Sequence, residues 1–265
     1  MRKNRGQTVT HLYLIGIGSG NPEHVTIQAI NAMNKADVIF IPTKGVAKSD
    51  LADVRREICA RYVTRSDIRY VDYAVPTRRV AERTYGQSVD EWHAALSEAY
   101  ETLFASHLSP DGTGAFLVWG DPSLYDSTIR IVERVKARGR TADLRYTVIP
   151  GITSVQALTA SHRIPLNLVG KPVQITTGRR LAECFPGAVE TAVVMLDGEQ
   201  AFGRIDDPDA HIYWGAYLGT ENEIVLSGRL ADIKDAILAT REAARARHGW
   251  IMDIYLLRKG EDFDE

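Results

Sequence analysis

Leu12-Tyr-Leu-Ile-Gly-Ile-Gly-Ser-Gly-Asn-Pro-Glu-His-Val-Thr26 decides the architecture: an apolar strand runs into alternating glycines at Gly16, Gly18 and Gly20, then into Pro22. Glycine tolerates positive φ and has no Cβ, so a loop of this kind can lay bare backbone against a ligand. Asn21 as N-cap, Pro22 at the first helical position and Glu23 in the first turn predict a helix running to about Asn34. Val38-Ile-Phe-Ile41 then reads as a buried parallel strand stopped by Pro42, and strand, helix, strand is a right-handed crossover unit.

Outward from this opening the alternation continues. Helices are predicted near Leu51–Arg61, Val89–His107 and Ser123–Arg138, with strands near Arg69–Tyr73, Gly114–Trp119 and Arg145–Ile149. Strands alternating with helices make an open, mostly parallel five-stranded α/β sheet, expected as an N-terminal domain over residues 1–150. Pro150-Gly151 punctuates the chain, and a helix-like Ile152–Ser161 ends near Pro165. Residues 151–265 follow a different grammar, with strands predicted at Val173–Thr177, Thr191–Leu196, Ala210–Trp214 and Glu223–Ser227, a helix Leu230–Arg247 closed by Gly249, and a last strand Trp250–Leu257. Consecutive strands with few helices predict a mixed or antiparallel sheet, and Gly260–Glu265 a frayed tail.

Composition narrows the function classes. A formal charge of −2 over 265 residues gives no global reason to expect nucleic acid or an anionic membrane as partner. No apolar run approaches the roughly 18–20 residues that span a bilayer. The basic start Met1-Arg-Lys-Asn-Arg5 is not followed by a signal-like run, so a cytoplasmic protein is expected. Cys59 and Cys184 have no metal-type spacing, and the histidines lack ligand grouping, so neither a disulfide framework nor a metal site is expected.

Several ligands suit a strand that ends in glycines. A dinucleotide fingerprint would need glycine where Asn21 stands, and its ribose-gripping acid should follow the second strand, whereas Asp37 precedes it. A Walker loop fails because no Lys-Ser/Thr pair follows the glycines. A second glycine site, Phe116-Leu-Val-Trp-Gly-Asp-Pro-Ser-Leu-Tyr-Asp-Ser-Thr128, again delivers a glycine from a buried strand, with Asp121-Pro122 expected to begin a helix. Both loops lie at carboxyl ends of parallel strands, where open α/β sheets bind ligands. Arg78, Arg79 and Arg83 form a further cluster, read as a solvated loop or an anion-contacting one.

Gly16-x-Gly18-x-Gly20-x-Pro22 with Thr26, Trp119-Gly-Asp-Pro-Ser-Leu-Tyr125, Ile149-Pro-Gly-Ile-Thr-Ser154 and Ile164-Pro-Leu166 resemble, in order and spacing, the tetrapyrrole methylases of corrin and sirohaem synthesis. Thr176-Thr-Gly-Arg-Arg180, Val194-Met-Leu-Asp-Gly198 and Ile212–Thr220 are similar to the members of that family in the aerobic cobalamin route. The resemblance implies two αβα domains with S-adenosyl-L-methionine in a cleft between them and a precorrin above it, no metal, and a homodimer. It implies methylation of precorrin-5 at ring carbon 1 with release of acetate, and S-adenosyl-L-homocysteine as the other product. Carried over residue by residue, donor contacts fall at Gly18, Pro22, Trp119, Gly120, Asp121, Thr153, Ser154, Met195, Leu196 and Leu218. Substrate contacts fall at Gly16, Gly20, Tyr125, Arg179 and Arg180.

The chemistry agrees in outline. A carboxylate, from the donor or the macrocycle, suits a helix start at Pro22, while Asp121 as an N-cap adds negative potential near a cationic sulfonium. Guanidinium forks at Arg179 and Arg180 match the carboxylates of a precorrin. Acetate loss calls for a base and an oxyanion donor, for which Asp121, Tyr125, Asp126, Asp197 and Glu199 are candidates, with Asp121, Tyr125 and Asp197 foremost. His162 reads as a boundary residue. Another precorrin or cobalt-precorrin methylase, and a donor- or tetrapyrrole-binding protein without turnover, remain open alternatives.

Overall fold

The computed structural model describes residues 9–43, 49–77, 85–140, 143–183, 185 and 187–260. Arg78, Arg79, Arg83, Cys184 and the expected frayed tail beyond Gly260 lie outside them. Contacts divide the chain into two compact units, Met1–Gly18 with Pro22–Ile152, and Ser19–Asn21 with Thr153–Glu265.

In the first unit, β1 (Val9–Gly16), β2 (Val38–Thr43), β3 (Arg69–Ala74), β4 (Thr113–Val118) and β5 (Asp143–Ile149) form one sheet of order β3-β2-β4-β1-β5. Every neighbouring pair is parallel. Four helices, α1 (Ile27–Met33), α2 (Ser49–Tyr62), α3 (Tyr85–His107) and α4 (Thr128–Arg138), cover it. Successive strand residues point to opposite faces. Accordingly Ile15, Ile39, Ile41 and Leu117 pack with Ala29, Met33 and Ile58 on one side, and Leu12, Leu14, Val38, Phe40 and Phe116 with Leu96, Phe104, Ile131 and Val135 on the other. Burial of both faces is why the Val38–Ile41 stretch is apolar without alternation.

In the second unit, α5 (Ser154–His162) precedes β6 (Val173–Thr177), β7 (Thr191–Met195), β8 (Ala210–Ala216), β9 (Ile224–Arg229), α6 (Leu230–His248) and β10 (Asp253–Lys259). The sheet order is β6-β7-β10-β8-β9; β6 and β7 are parallel and the other neighbours antiparallel. It follows that β6, β7 and β8 run the same way and end at one sheet edge. Trp214, Tyr255, Phe202 and Ile237 centre the core. Arg258 is fully buried, and its Nη2 donates to the carbonyls of Pro165 (2.9 Å) and Leu166 (3.0 Å), which fastens the Ile164-Pro-Leu166 turn to β10.

Both expected helix starts are displaced. Pro22 opens a 3-10 turn that ends at His24, and α1 begins only at Ile27. The reason is local: Val25 is buried, and the Thr26 hydroxyl accepts from the Ala29 amide at 3.1 Å, capping a helix that Asn21 was expected to cap. Likewise α4 begins at Thr128 rather than Ser123, with the Asp126 carboxylate accepting from the Thr128 amide at 2.7 Å. The last strand begins at Asp253 instead of Trp250, because Tyr217 takes the preceding backbone: its amide donates to the Met252 carbonyl (3.0 Å) and its hydroxyl to that of Trp250 (2.6 Å).

Candidate active site

The first unit builds its edge from backbone. Since β1 lies between β4 and β5, the loops leaving these strands are neighbours. The Gly120 amide donates to the Gly18 carbonyl at 2.8 Å, forming an isolated bridge between the two glycine loops. A Cβ on Gly151 would lie 2.1 Å from the Gly120 carbonyl oxygen, and one on Gly16 would lie 2.6 Å from the Gly151 nitrogen. Gly18 has φ of 85° and would collide with the His24 Cβ at 2.6 Å. These glycines are required by each other's backbone.

Asp121 joins two of the loops. Its Oδ2 accepts from the Gly151 amide at 2.8 Å, and its Oδ1 accepts from the amide (2.7 Å) and hydroxyl (2.5 Å) of Ser123. It caps no helix, contrary to the expectation. Burial works against its charge, but these hydrogen bonds outweigh burial and hold the carboxyl below the usual carboxylate range. A carboxylate so held is a weak base and a persistent negative charge. Trp119 beside it is half-buried. Pro22 lends its carbonyl to the Tyr62 hydroxyl at 3.1 Å. Tyr125 is 44% exposed and sits at φ 49°.

The second unit gathers its own set. Gly20, at φ 139°, would place a Cβ 2.6 Å from Thr220 Cγ2 and 3.0 Å from the Leu218 carbonyl. At the shared ends of β7 and β8, Leu196 (φ 55°) and Tyr217 (φ 50°) adopt left-handed backbone, and Leu196 is 66% exposed. Non-glycine residues in that region cost of order 1 kcal/mol or more and concentrate at ligand sites. Leu196 is therefore an apolar side chain held outward at some expense. Met195 is half-buried beside it, and Leu218 is buried. Thr153 caps α5: its hydroxyl accepts from the Val155 amide at 3.1 Å, and Gln156 closes a capping box. Ser154 is the first residue of that helix.

Asp197, expected as a catalytic acid or base, is buried, with Oδ2 accepting from the Tyr255 hydroxyl (2.6 Å) and the Ala201 amide (2.7 Å). Burial, reinforced by the Asp197 carboxylate, pushes the Tyr255 hydroxyl far above its ordinary range, so it stays a donor. Arg241 extends the network, pairing with Asp253 at 2.8 Å and reaching the Asp197 carbonyl at 3.4 Å. Asp197 thus secures the loop that presents Leu196. Arg179 and Arg180 are exposed on the 3-10 turn Gly178–Glu183, where Arg180 pairs with Glu183 at 2.7 Å. Exposed Glu199 lies 3.7 Å from Arg204. His162 Nε2 donates to the Trp214 carbonyl at 3.0 Å, and burial lowers its pKa, in keeping with a boundary role. Among the described residues no group of three metal-ligating side chains occurs, and no helix is long and apolar enough to cross a membrane.

With this geometry in view, the model of the family described as Tetrapyrrole (Corrin/Porphyrin) Methylases matches residues 11–234. The chain belongs to the tetrapyrrole methylases. This methylase is 70% identical over 254 residues to a precorrin-6A synthase [deacetylating] from Sinorhizobium sp, covering 96% of this chain and 97% of the other. Among solved structures it is similar to a cobalamin synthesis related protein (CobF) from Corynebacterium diphtheriae, at 37% identity, TM-score 0.82, and 96% and 100% coverage of the two chains. It shares its fold with a uroporphyrin-III C-methyl transferase from Thermus thermophilus complexed with S-adenyl homocysteine, at 19% identity, TM-score 0.55, and 95% and 97% coverage.

In the first unit the glycine loops bring backbone without side chains together with the fixed negative charge of Asp121, which fits a cationic donor held largely by backbone; in the second unit Leu196 offers an exposed apolar side chain. The Ser19 hydroxyl, buried in the glycine loop with no hydrogen-bond partner, was missed by the sequence reading because nothing distinguishes it from a turn serine. Arg55 was missed as well, although it carried a signal. It occupies the apolar stripe of α2 between Ala52 and Ile58, where a charge has no business unless it meets a buried acceptor.

Proposed function

We propose that this methylase transfers a methyl group from S-adenosyl-L-methionine to carbon 1 of precorrin-5 and releases acetate, giving precorrin-6A. The observation that carries this reading is the 70% identity to a precorrin-6A synthase over nearly the whole of both chains. When bound, the donor supplies a methyl group already activated on a cationic sulfur, so the protein needs no covalent nucleophile; its task is alignment and exclusion of water.

In this reading Gly18, Pro22, Trp119, Gly120 and Asp121 of the first unit, and Thr153, Ser154, Met195, Leu196 and Leu218 of the second, contact the donor. Asp121 provides negative potential suited to a sulfonium or a ribose. Pro22 opens only a 3-10 turn and Thr26 caps α1, so the carboxylate of the donor or macrocycle relies on loop amides rather than an α-helix terminus. Leu196 offers apolar surface. Gly16 and Gly20 shape the substrate contact, Tyr125 lines it, and Arg179 and Arg180 meet the carboxylates of the ring. We place the enzyme in the cytoplasm as a homodimer without a metal.

Turnover with precorrin-5 and labelled donor, with acetate measured in parallel, tests the reading. Equal amounts of methylated ring and acetate are expected. Methylation without acetate would reject the deacetylating assignment.

A further inference from the structure

Within the first unit a cavity of about 260 Å³ lies between the sheet and its helices, lined among others by Arg55, Tyr73, Trp92, Tyr100, Tyr125 and Asp126. Its size falls below the about 300–1,000 Å³ of sites that swallow whole ligands. It has room for a substituent and several waters, a water's share of liquid volume being about 30 Å³.

The polar lining is unusual for a core. Arg55 is buried, with Nε donating to the Leu117 carbonyl at 2.9 Å. The Tyr73 and Tyr100 hydroxyls are 3.3 Å apart. Asp126 spends Oδ1 on the Thr128 amide. One cation, one anion and three phenols make the lining neutral in sum, which suits an uncharged polar guest better than a carboxylate. Burial raises the Tyr73 hydroxyl to about 12, so it remains a donor throughout the working range. Asp126 and Tyr125 belong to the same loop as Asp121, so the cavity begins within one short loop of the residues assigned to the donor.

We infer that this cavity receives the acetyl substituent of the substrate and is where it is hydrolysed, with Tyr73 and Arg55 as donors to the acyl oxygen and Asp126 as base for the attacking water. The inference rests on the functional reading above. Water is the co-reactant. Its oxygen bonds to the acyl carbon as its proton passes to Asp126, and the carbonyl electron pair moves onto the acyl oxygen. Collapse of that oxyanion breaks the bond to the ring carbon, whose electron pair then takes the methyl group, while the sulfonium electrons return to sulfur. No redox change occurs. The acid formed and Asp126 each lose a proton to solvent, and acetate beside the regenerated Asp126 carboxylate is repelled, which favours its departure.

The test uses the full chain, precorrin-5, labelled donor and ¹⁸O-labelled water, with Tyr73→Phe and Asp126→Asn. The wild type should place one ¹⁸O in each acetate. Both variants should lose about 10²-fold or more in kcat for acetate release, with the KM for donor and calorimetric binding of S-adenosyl-L-homocysteine within twofold of wild type. Acetate release within threefold of wild type in both variants, or acetate without label, would overturn the inference. If Asp126→Asn does not fold, Tyr73→Phe decides, since it removes a single oxygen. Wild type that releases no acetate from precorrin-5 overturns the functional reading and this inference with it, whereas normal wild-type turnover with indifferent variants overturns the inference alone.

Discussion

At the ends of β1, β4 and β5, Gly16, Gly120 and Gly151 meet backbone to backbone, whereas at the ends of β7 and β8 the loops are secured by Asp197, Tyr255, Arg241 and Asp253. The first arrangement shapes its edge by omitting side chains, and Asp121 is the main side chain that ties it. The second uses buried charge to hold Leu196 and Tyr217 in costly backbone conformations. In the first unit the strands β1, β4 and β5 end side by side, and glycine lets the loops that leave them pack backbone to backbone. A mixed sheet brings the start of β10 to the same edge as the ends of β7 and β8, and with it Asp253. The two edges should therefore fail differently.

Removing charge from the second edge should do the most damage. Asp253→Ala leaves Arg241 buried without its partner, and about 3–5 kcal/mol of stability should be lost, read as a fall in denaturation midpoint. A loss under 1 kcal/mol would show that the network is ornamental and break the comparison. Gly151→Ala attacks the first edge, where the added Cβ meets a backbone carbonyl that cannot rotate away. A cost of about 3 kcal/mol is expected, together with weaker binding of S-adenosyl-L-homocysteine in calorimetry; unchanged binding would separate the glycine packing from the donor site.

Tyr255→Phe removes one hydrogen bond to a carboxylate and should cost about 2 kcal/mol. It should also loosen the Leu196 loop, visible as faster amide exchange there, and unchanged exchange would place the restraint elsewhere. Thr153→Ala removes a helix cap at a cost of about 1 kcal/mol. If donor affinity falls more than tenfold with it, Thr153 contacts ligand in addition to capping.

The smallest effect concerns pH. The folded pKa of Asp121 is lowered, so its contribution is present above the unfolded value of about 3.9 and fades as pH falls through the folded one. Asp121→Asn should therefore be less stable than wild type near neutrality and match it in strong acid. A difference that persists at the lowest pH would mean that the hydrogen bonds, and not the charge, carry the effect.

Much of this was legible beforehand because its causes are local. Val38–Ile41 is apolar without alternation, so a strand covered on both sides could be read directly. Gly249, at φ 75°, closes α6 where the sequence predicts it. Helix starts were harder: Thr26 and Asn21 are both competent caps, and burial of Val25 chose between them. The candidate acids separated for a similar reason. Asp121 finds Gly151 30 residues away, and Asp197 finds Tyr255 58 residues away. No spacing rule reaches that far.

The sequence by itself determined the order of strands and helices, the change of grammar after Pro150, and the family, because periodicity and ordered motifs are properties of neighbouring residues. Tertiary structure decided what each motif is for. It set Gly16 against Gly151, turned Asp197 inward to hold a loop, left Leu196 outward, and closed Arg55, Tyr73, Tyr100 and Asp126 around one cavity. Such outcomes depend on which distant donors, acceptors and backbones become neighbours when the sheets form, and burial then fixes the cost of every polar group left among them.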